Sequence, residues 1–109
     1  MQSFFVTFGM KYSNTPHPAS KRIDHLSLVM IMANTLEEAR ATAVHHLAGY
    51  WSRILTRAEA VAYHASDPRT GVVALACGES IVYDADAPHI MSMLNTAFST
   101  EAHTTERVA

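Results

Sequence analysis

Between Phe4 and Gly49 the sequence sets out a strand, a long loop, a second strand and a helix, and that unit limits the chain to a compact α+β fold. Phe4, Val6 and Phe8 alternate with Phe5 and Thr7, the period of a strand with one strongly apolar face. In the second strand Leu26, Leu28, Met30 and Met32 share one face, and Val29, Ile31 and Ala33 make the other face apolar as well. A strand apolar on both faces is central and covered on both sides. A second layer must therefore cover the face that the first helix leaves open.

That helix is expected over about residues 35–48. Thr35 and Glu38 stand at capping-box spacing, with Asn34 and Glu37 repeating the pattern one residue earlier. At about 100° per residue, Leu36, Ala43 and Leu47 form a narrow stripe flanked by Ala39 and Val44, while Glu37, Glu38, Ala41 and His45 point away. Gly49 is a natural stop. Tyr50–Leu55 reads as a third strand. Thr56 and Glu59 form another capping-box pattern before a short alanine-rich helix ending near His64. Ser66–Gly71 is a turn, with Gly71 the residue that permits positive φ. Val72–Ala76 and Ile81–Tyr83 are short strands joined as a hairpin around Gly78-Glu79-Ser80. Asp84 or Asp86 caps a final helix over about 87–98, with Pro88 in its first turn and an apolar stripe of Ile90, Leu94, Ala97 and Phe98.

The expected architecture is a single-layer, mostly antiparallel sheet of about five strands with one long helix packed on it and a second C-terminal helix. One domain spans 1–98, and the polar, Thr-rich segment 99–109 is expected to fray. A length of 109 residues suits one domain with one core. The hydrophobic fraction of 49% and charged fraction of 17% are globular values rather than disordered ones. A net charge of −2 carries no electrostatic footprint for nucleic acid, and Lys11, Lys21 and Arg22 would support only weak, salt-sensitive binding. The apolar run Leu26–Ala33 falls far short of the roughly 20 residues that span a bilayer. With no basic segment before an apolar run at the N-terminus, and with Cys77 the single cysteine, a reducing, cytoplasmic setting is expected.

No motif names a reaction. His17, His25, His45, His46, His64, His89 and His103 invite a metal site, but no His-x-x-x-His or Cys-x-x-Cys spacing occurs, and His45 and His46 diverge by about 100° on a helix. Cys77 ends an apolar run and reads as a small core residue rather than a nucleophile. Gly9, Gly49, Gly71 and Gly78 are isolated, so no glycine-rich phosphate loop exists, and no Gly-x-Ser-x-Gly elbow occurs. Neither catalysis nor a cofactor is expected. Arg40, at the edge of the first helix's apolar stripe, suits an ion pair with Asp24 or Glu59 or an extended path to water.

The loop Met10–Asp24 is harder to treat as scaffold. Loops of this length without their own structure are uncommon in compact domains and are often functional. It carries Lys11, Tyr12, His17 and Arg22, the candidate partner-binding residues, with Pro16 and Pro18 bracketing His17 so that its ring is presented. Phe5-Val6-Thr7-Phe8-Gly9-Met10-Lys11-Tyr12, the later His17-Pro18, the hydrophobic strand running into Leu36-Glu37-Glu38-Ala39-Arg40, and Trp51 together resemble a recurrent type of small accessory protein encoded by bacteriophages and prophages of high-GC, actinobacterial hosts. The resemblance covers roughly the first half of the chain. It implies no reaction; it implies a protein acting inside a bacterial host. The expected function is thus binding to a host protein. A self-associating structural or assembly accessory is the alternative, and a small enzyme or metal protein using the histidines is a second. A homodimer is expected if Val29 and Ile31 stay uncovered, with Met30, Met32, Met91 and Met93 as adaptable contacts.

Overall fold

The computed structural model describes the backbone of residues 1–108 and the side chains of residues 1–102. In chain order the elements are β1 (Gln2–Thr7), a 3₁₀ turn (Met10–Ser13), β2 (Ser27–Ala33), α1 (Leu36–Leu47), β3 (Arg53–Thr56), α2 (Arg57–Ser66), β4 (Gly71–Cys77), β5 (Ser80–Tyr83) and α3 (Pro88–Val108). The strands form one sheet in the order β3-β1-β2-β4-β5. β1 runs antiparallel to both β2 and β3, and β5 antiparallel to β4, but β2 and β4 are parallel. The sheet is therefore mixed. A parallel neighbour needs a long crossover, and the chain between β2 and β4 supplies one by passing through α1, β3 and α2.

Helices lie on both faces of this single sheet, and the second layer that the sequence requires is built from α2 together with α3 rather than from the C-terminal helix alone. α1 packs on β1 and β2, and it covers Phe4, Val6, Phe8, Val29, Ile31 and Ala74. On the opposite face α2 and α3 pack together over Phe5, Leu28, Met30, Leu55 and Val72. Both sides of β2 are thus sealed within one chain, as its two-faced apolar pattern demands. Val29 and Ile31 are buried, so the uncovered patch on which a dimer was expected does not exist in this fold.

α1 starts where its capping signals place it. The Thr35 hydroxyl accepts the Glu38 backbone N–H at 3.1 Å, and the Glu38 carboxylate reaches one residue past the cap to accept the Asn34 N–H at 2.9 Å. Its buried face is Ala39, Thr42, Ala43 and Leu47, with Glu37 and Glu38 exposed. Leu36, expected in the stripe, is 46% exposed. It shares the stripe's angle but occupies the first helical position, and angle alone does not bury a side chain at a helix end. Leu47→Ala should cost about 2–5 kcal/mol of unfolding free energy in chemical denaturation. Leu36→Ala should stay within about 0.5 kcal/mol; equal losses would contradict this packing.

α2 begins with a complete capping box: Glu59 N–H donates to the Thr56 hydroxyl at 3.3 Å and Thr56 N–H to the Glu59 carboxylate at 2.9 Å. These bonds hold the Glu59 carboxyl below its ordinary range. The β4–β5 hairpin turns on Gly78 and Glu79 between the paired residues Cys77 and Ser80. Gly78, at φ +57°, is the first central residue, where a hairpin turn favours glycine.

α3 departs most from the sequence reading. It continues past Ser99 to Val108, through the segment expected to fray. Its buried side is Met91, Phe98 and Ala102 with Leu94 partly covered, while Ile90 is 47% exposed. Two contacts lock it in place. Asn95 accepts the Val72 N–H at 2.8 Å and donates to the Val72 carbonyl at 2.9 Å, completing the backbone of β4 beside a bulge in its pairing with β2. Arg57, at the start of α2, forks onto Glu101 with Nε 3.0 Å from each carboxylate oxygen. Gly71 leaves room for the Asn95 side chain here and does not take positive φ. A Cβ at that position would lie 3.2 Å from the Asn95 side-chain oxygen.

Candidate functional site

Two loops meet at one end of the sheet. The first leaves β1 through Gly9 into the 3₁₀ turn, closed by Tyr12 N–H on the Gly9 carbonyl at 3.1 Å. The second joins α1 to β3 through Gly49-Tyr50-Trp51-Ser52, and Ser52 N–H donates to the Thr7 carbonyl at 2.8 Å, fastening it to the end of β1. Between them lies a cleft of about 240 Å³ lined by Gly9, Lys11, Tyr12, Gly49, Tyr50, Trp51 and Ser52. Tyr12 also lines an adjoining hollow of about 270 Å³ formed by Ser13–Pro16, Lys21, Ile23 and Asp24.

The α1–β3 loop is held in an unusual shape. α1 is capped by Ala48, whose φ of +53° suits glycine, although the sequence offers glycine one residue later. Positive φ at a residue with a Cβ costs on the order of 1–3 kcal/mol and persists only where surrounding contacts impose it. Three do so: Ala48 N–H donates to the Val44 carbonyl at 2.9 Å, Tyr50 N–H to the Leu47 carbonyl at 3.0 Å, and the Trp51 indole N–H to the Ala48 carbonyl at 3.0 Å. The last bond pins the indole ring. Tyr50 is 47% exposed and Trp51 is half-buried, so ring surface faces solvent beside the Lys11 ammonium, which lies 5.1 Å from the Tyr12 ring centre.

His17 sits beneath this arrangement. The sequence reading has Pro16 and Pro18 presenting the ring; instead it is 3% exposed. Its Nδ1 accepts the Ala19 N–H at 3.0 Å, which requires an unprotonated nitrogen there, and its Nε2–H then donates to the Tyr50 carbonyl at 2.6 Å. The hydrogen bonds thus assign the Nε2–H tautomer. Phe8, Tyr12 and Tyr50 surround it, with ring centres 5.2, 4.8 and 6.2 Å away. His17 is the brace that ties one cleft loop to the other. The Met10–Asp24 loop is accordingly anchored by buried Tyr12, His17 and Ile23, not extended into solvent.

Of the four candidate residues, the fold brings Lys11 and Tyr12 to the cleft, puts His17 under it, and leaves Arg22 outside its lining. Arg22 pairs with Asp84 beyond β5 at 2.9 Å. Tyr50, assigned by sequence to the third strand, lies in the loop, as does Trp51. Their signal was an aromatic pair directly after a helix-stop glycine and before a short apolar strand.

The other reactive side chains take structural places. Cys77 is exposed at the end of β4, where the strand enters the hairpin, and not in the core. Arg40 is exposed; Asp24 instead accepts from Leu26 N–H and Ser27, and Glu59 closes its capping box. His64 is buried between Thr70 and Ser99, its ring stacked on Phe98 at 5.3 Å. His46 contacts the Gly78 carbonyl at 2.8 Å. Among the described residues no three His, Cys, Asp or Glu side chains converge as a metal site would need; His103 lies outside those whose side chains are described. Arg69 holds the Asp67 carboxyl below its ordinary range, and burial pushes the Tyr83 phenol up. Among the described residues no helix is long and apolar enough to cross a membrane. Comparison with known proteins finds no match to this chain among family models, curated proteins or solved structures.

Proposed function

We propose that the chain is a small, non-enzymatic accessory protein of the phage type that binds a host protein in the bacterial cytoplasm, with the Lys11–Tyr12–Tyr50–Trp51 cleft as its contact surface. The cleft carries this reading. It gathers two tyrosines, the chain's only tryptophan and a lysine from two distant loops, and tyrosine and tryptophan dominate the anchors of protein interfaces. The positive φ of Ala48 at its margin adds support, since strained backbone concentrates at functional sites. The phage context rests on the resemblance of the first half of the chain.

The test is capture from bacterial lysate with three baits: the wild-type chain, Tyr50→Ala, and Val82→Ala on the opposite edge of the sheet. Tyr50 and Val82 are both exposed, so neither change should disturb the fold. A protein retained by the wild type and by Val82→Ala should be lost with Tyr50→Ala. Its retention by all three baits would rule out the cleft.

A further inference from the structure

We infer that the cleft takes an extended protein segment in which proline stands beside an acidic residue, a proposal that rests on the cleft being the contact surface. Size argues for an anchor from a larger partner. About 240 Å³ is below the roughly 300–1,000 Å³ of sites that enclose drug-sized molecules, and suits one or two side chains.

The groups already engaged narrow the chemistry. The Ser52 N–H is bonded to Thr7, the Tyr50 carbonyl to His17 and the Ala48 carbonyl to Trp51. A ligand strand adding itself by backbone ladder bonds would find these groups taken. What remains is ring surface and one ammonium. Tyr12 is 6% exposed and its hydroxyl is buried, so the exposed ring surface comes from Tyr50 and Trp51 and the available donor is Lys11. The Lys11 ammonium only donates, and the lining contains no acidic side chain to neutralise it.

The matching ligand is rich in acceptors, poor in donors and rigid where it meets the rings. Proline has no backbone N–H to satisfy and a fixed φ, and proline-rich segments dock in aromatic-lined grooves because they are already extended. A carboxylate beside the proline complements Lys11. Single-stranded nucleic acid would also stack on the rings, but it needs a basic track along its backbone. The lining offers one cation on a chain of net charge −2.

Trp51, as the sole tryptophan, reports occupancy through its own fluorescence. The full chain should be titrated with a capped Glu-Pro-Pro-Glu-Pro peptide, with the same peptide carrying lysine for glutamate, with one carrying alanine for proline, and with a short thymidine oligonucleotide. Saturable quenching by the first is expected, with affinity about ten-fold weaker for the lysine and alanine peptides. Lys11→Glu should reverse the charge preference at an unchanged melting temperature. Equal response to all three peptides, no response to the first, or saturation by the oligonucleotide at lower concentration would each overturn the proposal. If Tyr50→Ala loses a captured protein while the acidic proline peptide fails, the ligand chemistry is wrong and the cleft stands. If Tyr50→Ala keeps its capture as well, both readings fall.

Discussion

Phe98→Ala is expected to lower the unfolding free energy by about 3–5 kcal/mol, the range for removing a buried aromatic side chain. Phe98 is 2% exposed, and its ring stacks on Phe5 with centres 5.1 Å apart and planes 4° from parallel. On its other contacts lie His64 at 5.3 Å and the Arg57 guanidinium at 6.0 Å. One residue therefore joins α3 to β1 and to α2. For a domain of this size, total stability is about 5–15 kcal/mol, so the variant should be largely destabilised at moderate urea. A midpoint shift no larger than that of Leu36→Ala would mean that α3 does not seal this face.

His17→Ala should have the largest effect on the cleft. It leaves the Ala19 N–H and the Tyr50 carbonyl without their partner and empties a space among Phe8, Tyr12 and Tyr50. A loss of about 1–3 kcal/mol is expected from the unpaired groups, with a red-shifted Trp51 emission as the α1–β3 loop loosens. Tyr50→Ala, by contrast, should abolish partner capture without altering stability, because Tyr50 contributes its carbonyl to the brace and its exposed ring to the partner. His17→Ala with wild-type melting and unchanged Trp51 emission would show that the loops are held by other contacts.

The candidate site was half visible in the chain. Lys11 and Tyr12 stood out because a long loop with charge and an aromatic ring between two strands is unusual. Tyr50 and Trp51 were hidden by a strand-like run to Leu55 in which loop and strand residues are alike in composition. The prolines on either side of His17 predict a presented ring, and the fold turns it inward. Two prolines restrict the backbone of this loop, but they do not say on which side a ring lies. That depends on the Tyr50 carbonyl, which folding brings from far along the chain.

Local order was legible because its causes are local. Hydroxyl–carboxylate spacing at Thr35/Glu38 and Thr56/Glu59 satisfies N–H groups within a single turn, Gly78 permits its own positive φ, and the two-faced apolar pattern of β2 requires cover on both sides wherever the strand sits. These features determined the order of the elements and the need for two helix layers. The parallel pairing of β2 with β4 has no such signature, since it depends on which face each crossover takes. The exposure of Leu36 and the extension of α3 past Ser99 are likewise decided by neighbours remote in sequence. Glu101 reaches Arg57 and Ala102 finds cover, so the turn after Ser99 is tied to the rest of the fold. The cleft belongs to this second class: it exists because β1 and β3 pair, bringing Lys11 and Tyr12 beside Tyr50 and Trp51.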